Sequence, residues 1–452
     1  MTVRLKTREG RGVLLATVLG SGVAFLDTTV VNVALPTLGR ELHAGMAGLQ
    51  WTVDAYLLTL SALLLVGGSL GDAFGRRRMF VIGLVWFAFA SAACALAPSV
   101  GVLVAARAVQ GAGAALLVPG SLAVLRESFA EEDQGHAIGA WSGLSGVTTA
   151  LGPIVGGWLI TAWSWRVVFF LNLPLAAAAV WVALRCVPES RVLRRRSIDV
   201  LGAVAATISL GALLYALIEA PARGNHAVIA GVGGAALLAA FLTIEARRQE
   251  PMLPLGLFRS RQFSGANAVT VAVYFALGGA TFLLVLQLQR VLEYSPLASG
   301  AALTPITVLM LVLSPLAGKL ASRIGYRLPM TVGPVVAGTG VALLAPIGRG
   351  SAYATALLPG IIVLGIGLAS TVAPLTTAIL AGAEEQHAGV AAGVNTAIAR
   401  LAGLLAVALL PLVANISGTD AASLAGGFPR AMWISAGVCI GGGLVAFTTL
   451  RR

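Results

Sequence analysis

Three charged residues lie in apolar surroundings that offer them little water: Asp27 after Val23-Ala-Phe-Leu, Asp54 between Trp51-Thr-Val and Ala-Tyr56, and Arg107 after Leu103-Val-Ala-Ala. In hydrocarbon an unpaired charge costs a few kcal/mol or more, so such residues pair with one another or line a wet cavity. A carboxylate near a guanidinium can do two things there. It can lock a bundle as a structural ion pair, or it can take up and give back a proton as its surroundings change, because burial and a nearby cation act on it in opposite senses. Both readings stay open for Asp27 and Arg107. For Asp54 a solvated helix start competes with contact to a substrate or cation. Other chemistries lack their residues. There is no phosphate-cradling Gly-rich loop ending in Gly-Lys-Ser/Thr, no His-Glu-x-x-His and no thiol–imidazole arrangement, and Cys94, Cys186 and Cys439 stand singly. No metal site and no cofactor is expected.

The elements that must hold these charges are membrane helices. The 452 residues are 58% hydrophobic and 11% charged, where a soluble chain carries about a quarter charged residues. Apolar runs of some twenty residues, each able to cross a roughly 30 Å hydrocarbon core, recur near 12–35, 50–70, 79–97, 100–125, 136–160, 166–187, 200–219, 227–244, 265–288, 298–320, 329–348, 354–381, 389–413 and 431–450. The predicted fold is all-α and integral to the membrane, with fourteen helices. A six-helix bundle over 1–187 precedes a basic linker with a two-helix insert over 188–264, and a second six-helix bundle covers 265–452. With the N-terminus inside, the cytoplasmic segments hold 22 of the 30 Lys and Arg and the outer segments six, with Arg107 and Arg400 left inside helices. That bias places both termini in the cytoplasm and turns the net charge of +12 into a topology signal, not a nucleic-acid surface. Ala/Gly/Arg-rich, lysine-poor usage points to a bacterium, so the expected location is its inner membrane.

Depth then tests the charges. At 1.5 Å per residue Asp27 falls roughly 13 Å, Arg107 roughly 10 Å and Asp54 roughly 6 Å below the outer face. Arg400 comes near midplane, facing Asn395, a central cavity or packing only. Glu219 reads as a solvated helix end, Ser197 and Asp199 as caps of the seventh helix, and Trp51, Trp163 and Trp165 as interfacial anchors.

Two further stretches carry information. Gly68-Ser-Leu-Gly-Asp72-Ala-Phe-Gly75-Arg76-Arg77, between the second and third helices, returns 250 residues on as Gly318-Lys-Leu-Ala-Ser322-Arg-Ile-Gly325-Tyr326-Arg327. Such a repeat suggests two halves rocking about a central site. The fifth helix carries Gly152-Pro153-Ile-Val-Gly156-Gly157, where proline bends and glycine admits a close neighbour; packing alone would explain it.

The first of these stretches resembles the cytoplasmic signature of the major facilitator superfamily. The resemblance implies that Gly68, Asp72, Gly75, Arg76 and Arg77 latch the two halves on the inner face, Asp72 toward the start of the thirteenth helix. Ser322 replaces the acid in the second copy. The fifth-helix stretch is similar to the superfamily's antiporter motif, except that Thr148 stands where a leading glycine is common. Leu26 to Pro36, Gln50 to Tyr56, Arg107 to Gly113, Trp165-Arg166 with Asn172 and Pro174, and Asn395 to Arg400 resemble the fourteen-helix drug:proton antiporters. The chain is therefore identified as resembling that family over nearly its whole length.

The resemblance implies a proton-coupled antiporter that exports drugs, antibiotics or other small amphipathic molecules and is not an enzyme. Its partners would be a small-molecule substrate, protons and the lipid bilayer, with no nucleic acid, and the chain would act as a monomer. Asp27 and Arg107 would couple protons, with Asp54, Asn32, Gln110 and Arg400 as cavity candidates. Two alternatives stand beside it: a dedicated exporter of one metabolite, lipid or siderophore, and a non-transporting receptor or scaffold on the same fold.

Overall fold

In hydrocarbon every backbone polar group must find a partner inside the chain, which leaves long apolar segments the helix as their solution. The structure is a computed structural model that describes residues 3–190, 199–248, 253–382 and 388–450. The helices are α1 (Arg8–Glu41), α2 (Met46–Phe74), α3 (Arg76–Ala95), α4 (Val100–Ser128), α5 (Glu131–Ala162), α6 (Trp165–Phe170), α7 (Asn172–Cys186), α8 (Val200–Arg247), α9 (Arg261–Arg290), α10 (Pro296–Ile324), α11 (Arg327–Leu344), α12 (Leu358–Ala381), α13 (Ala388–Val413) and α14 (Ala421–Thr449). Polar residues start many of them. Thr7, Ser99, Ser260, Ser295 and Asp420 each accept from a backbone N–H in the first turn. Asp199 does the same for Gly202 at 2.8 Å. Ser197, expected to share that cap, lies outside the described residues, as do Arg191, Arg194, Arg195, Arg196, Arg451 and Arg452.

Thirteen helices among the described residues are long and apolar enough to cross a membrane, α6 and α7 together making one span, Trp165–Cys186. The longest, α8, is two. A straight helix would hold residues 216 and 231 about 22 Å apart, yet a Cβ on Gly231 would lie 3.1 Å from Ala216 Cβ. The chain reverses between them at Gly224, which takes φ 33° and ψ −99°, three residues after Pro221. That hairpin brings the spans to fourteen. Glu219 near the turn is paired with Arg223 at 3.3 Å, its side chain only 16% exposed, so it is an ion-paired helix end and not a freely solvated one.

The sixth span was expected as one helix from 166 to 187. It is interrupted at Leu171 because Pro174 has no N–H for the Phe170 carbonyl and its ring crowds that oxygen. Asn172 stands at the interruption.

The chain divides into two compact units, one of residues 1–44 and 51–210, the other of residues 45–50 and 211–452. In the first, α1 packs on α4, α5 and α7, and α3 on α4 and α7. In the second, α9 packs on α13 and α14, and α11 on α12 and α14. Each unit thus has its own helical core. Trp165, expected as an interfacial anchor, belongs to the first core: it is fully buried and its Nε1 donates to Glu41 at 2.7 Å. Trp163 is 64% exposed and packs edge-on to Trp158.

Candidate functional site

Four helices of the first unit, with the α6–α7 break, converge on Asp27. It sits in mid-α1 among Val23, Ala24 and Val30, on the buried face of that helix. α4 supplies Arg107 and Gln110, one turn apart and so on one face. Arg107 Nη1 donates to Asp27 Oδ2 and, at 2.7 Å, to Gln110 Oε1. Its Nε donates to the Thr52 carbonyl on α2 at 3.1 Å, and its Cζ lies 4.2 Å from the centre of the Tyr56 ring. The other carboxylate oxygen, Asp27 Oδ1, accepts from Gln110 Nε2 at 2.9 Å and from Asn172 Nδ2 at 3.0 Å. Asn172 also donates to Ser91 Oγ on α3 at 3.0 Å, and Ser91 donates to the Phe169 carbonyl at 2.9 Å. Asp27, Gln110, Asn172 and Ser91 have no exposed surface and Arg107 has 1%.

A carboxylate with three donors and a guanidinium with three acceptors and a ring face are well compensated for burial. Removing one partner of such a pair costs about 3–5 kcal/mol, because the other is left charged and enclosed. The site can hold an ionised carboxylate, and no metal cluster of His, Cys, Asp and Glu occurs among the described residues.

Asp54 is different. The helix that carries it starts at Met46, four residues before the expected boundary. Asp54 is therefore two turns inside α2, fully buried, and neither carboxylate oxygen has a hydrogen-bond partner among the described residues. The reading of a solvated helix start is overturned by that burial. Asn32 is half-buried a turn and a half beyond Asp27 and takes no part in the cluster. Arg400 is near enough to Tyr274 of α9 to act on it electrostatically, while Asn395 donates to Asn267 Oδ1 at 3.1 Å and Thr270 Oγ1 at 2.7 Å.

At the α2–α3 junction Asp72 Oδ1 accepts from Arg76 Nε at 3.0 Å and Nη2 at 2.9 Å, and Arg76 Nη1 reaches Glu127 of α4 at 2.8 Å. Gly75 takes φ 106°, a region that favours glycine. Arg77 donates to the Val187 carbonyl at the end of α7, and Glu189 accepts from the Arg77 and Arg78 amides, closing the start of α3. Gly68 meets Pro119 of α4. In α5, Cβ atoms on Gly152 and Gly156 would strike Thr29 and Val30 of α1, with Pro153 inside the helix and Gly157 buried next to Gly156. Where Thr148 replaces a glycine, Gly22 stands opposite on α1, 3.3 Å from the Thr148 methyl by the same construction.

The sequence reasoning named Asp27, Arg107 and Gln110, which the structure brings together. It did not single out Asn172 as a site residue, nor Ser91, Tyr56 or the Thr52 carbonyl. The signals for Asn172 were a carboxamide just ahead of a proline within an apolar span and its place in a stretch that resembles the drug:proton antiporters.

Comparison with known proteins agrees with this architecture. The family model described as Major Facilitator Superfamily matches residues 17–407. The chain is 36% identical to the multidrug resistance protein Stp of Mycobacterium tuberculosis (strain CDC 1551 / Oshkosh), over 88% of this chain and 74% of that one. It is also 36% identical, with the same coverage, to the tetracenomycin C resistance and export protein of Streptomyces glaucescens. In fold it is similar to a POT family transporter crystallised with 5-aminolevulinic acid, at a TM-score of 0.75 and 14% identity, covering 99% of this chain and 98% of that one. With fourteen spans, two compact helical units and a family match from α1 into α13, this multi-pass membrane chain belongs to the Major Facilitator Superfamily.

Proposed function

We propose that the protein is a proton-coupled antiporter that exports drugs, antibiotics or similar small amphipathic molecules across the bacterial inner membrane. Both termini lie in the cytoplasm in this reading, as the basic residues favour. Its domains are six helices, a two-helix insert and six helices. The observation that carries the reading is Asp27. It is a fully enclosed carboxylate held by three donors, two on α4 and one at the α6–α7 break, so a proton on it would disturb the link between these helices. The printed names of the two relatives, a multidrug resistance protein and a resistance and export protein, support the direction and substrate class.

A proton arriving from the outer side neutralises Asp27 and loosens its hold on Arg107, and the bundle changes state as substrate leaves outward. The unpartnered carboxylate of Asp54 supplies a site for the cationic part of a substrate or for a second proton. Gly68, Asp72, Gly75, Arg76 and Arg77 form the inner latch, in which Asp72 is paired with Arg76. Everted vesicles test the whole reading. A substrate-induced proton signal is expected in the wild type and in Thr17→Ala, and its loss is expected in Asp27→Asn. Equal loss in both variants would overturn it.

A further inference from the structure

Asp27 Oδ1 is held by two carboxamides, and they differ in what their far ends do. Gln110 is committed at both ends: Nε2 donates to Asp27, while Oε1 accepts from Arg107 Nη1 at 2.7 Å and lies 3.5 Å from Cys94 Sγ. Asn172 is committed at one. Its Nδ2 serves Asp27 and Ser91, and its fully enclosed Oδ1 has no partner among the described residues. An ionised carboxylate only accepts, whereas a protonated one must also donate. A proton on Asp27 Oδ1 would point at two N–H groups, so one amide must present its oxygen instead. Turning Gln110 would break the bond from Arg107 and the contact with the Cys94 thiol. Turning Asn172 breaks nothing at its far end.

We propose that Asn172 is a positioning residue that reads the protonation state of Asp27, its carboxamide turning over to replace a donor by an acceptor when Oδ1 takes a proton. The inference rests on the proton-site reading above. In that step one proton from water neutralises Asp27, Arg107 keeps its own proton, and no bond other than the O–H forms. The ionisable groups facing Asp27 are Arg107 from α4 and Cys94 from α3, and Tyr56 from α2, which is two positions after Asp54 in the chain, packs on Arg107. The ionisable residues of α5 and of the α6–α7 span stay near helix ends, at Glu131 to His136, Arg166, Arg185 and Cys186. The turned oxygen lies within reach of the Ser91 hydroxyl as well. Ser91 can then leave the Phe169 carbonyl, which sits beside the break that Pro174 makes in the sixth span. Protonation of α1 is thereby passed to the one interrupted helix that touches it.

The test is an infrared difference spectrum of the full chain in lipid between neutral and acid pH, with asparagine side-chain carbonyls isotopically labelled. The chain has six asparagines, few enough for one substitution to identify the band. A carboxylic acid band absent in Asp27→Asn is expected, together with a label-sensitive amide shift that disappears in Asn172→Leu. Labelled glutamine should give no matching shift. Asn172→Ser, whose hydroxyl can donate or accept in place, should keep the acid band and lose the amide shift, which guards against a variant that does not fold. An Asp27 acid band without any asparagine shift, or a shift that survives in either Asn172 variant, would overturn the inference alone. Absence of the acid band in the wild type would overturn the proton-site reading and this inference with it.

Discussion

The two six-helix sets repeat one pair of turns and are furnished differently. α2 (Met46–Phe74) and α10 (Pro296–Ile324) are both 29 residues long and stand 250 positions apart. Each follows a non-glycine residue at positive φ, His43 or Glu293, and each precedes a glycine at positive φ, Gly75 or Gly325. Two residues past those glycines, Arg77 and Arg327 each donate to a carbonyl near the end of the last helix of their own set, Val187 or Phe447. Backbone turns and helix-end clamps are thus repeated. The buried charges are not. The same offset carries Asp27 to Leu277 and Asp54 to Thr304, and the polar cluster of the second set, Asn395 with Asn267 and Thr270, is neutral. It also lies elsewhere along the bundle: Asn267 answers to Thr17, ten residues and about 15 Å from the level of Asp27. A repeated frame with an enclosed ion pair in one copy fits the proposed proton coupling, in which the two halves have different tasks.

The contrast can be broken in several places. Arg107→Leu should do most harm, lowering stability by about 3–5 kcal/mol because Asp27 is left charged and enclosed. Thermal unfolding in detergent should show Asp27→Asn recovering much of that loss in the double variant, without recovery of coupled transport. Next, Asp27→Asn should abolish substrate-linked proton movement in vesicles, while Leu277→Ala, its counterpart in the other set, should leave it within about twofold, as suits a half-buried apolar position. If both variants abolish it, the functional asymmetry is wrong.

Asp54→Asn should separate fold from function. With no partner to lose, the chain should unfold at the same or a higher temperature, and export of cationic substrates should fall more than that of neutral ones. A drop in stability of several degrees would mean that the carboxylate has a structural partner. The smallest expected effect is at the proposed latch. Asp72→Asn should slow transport severalfold, in line with about 0.2–1 kcal/mol for a part-exposed ion pair, and Ser322→Ala should not change it. Equal rates in wild type and Asp72→Asn would remove the latch from the mechanism.

Much of this was legible because helical rise is fixed and hydrocarbon tolerates few charges. Counting residues from a span end was enough to place Asp27 and Arg107 at one depth. Depth carries no rotation about the helix axis, however, so Asn32 looked as eligible as Gln110, and Asn172 on the sixth span could not be aimed at Asp27. Asp54 was placed too near the surface because α2 begins in Met46-Ala-Gly-Leu, whose weak apolar character hides a helix start. Trp165 was misplaced for a related reason: an indole near a span end suits either the interface or a buried hydrogen bond, and Glu41 decides between them from another helix. The reversal in α8, at Pro221 and Gly224, falls in the gap expected between the apolar runs 200–219 and 227–244.

Gly22 facing Thr148 has a consequence for descent. Room between α1 and α5 is a property of both helices together, and either may supply it. A drifting lineage can therefore lose a glycine from α5 without penalty if α1 already holds one at the same level. A substitution that enlarges position 22 closes that route until position 148 shrinks. The two sites should trade size over time, and a search for the antiporter motif on α5 alone would miss chains in which half of it has migrated to the neighbouring helix.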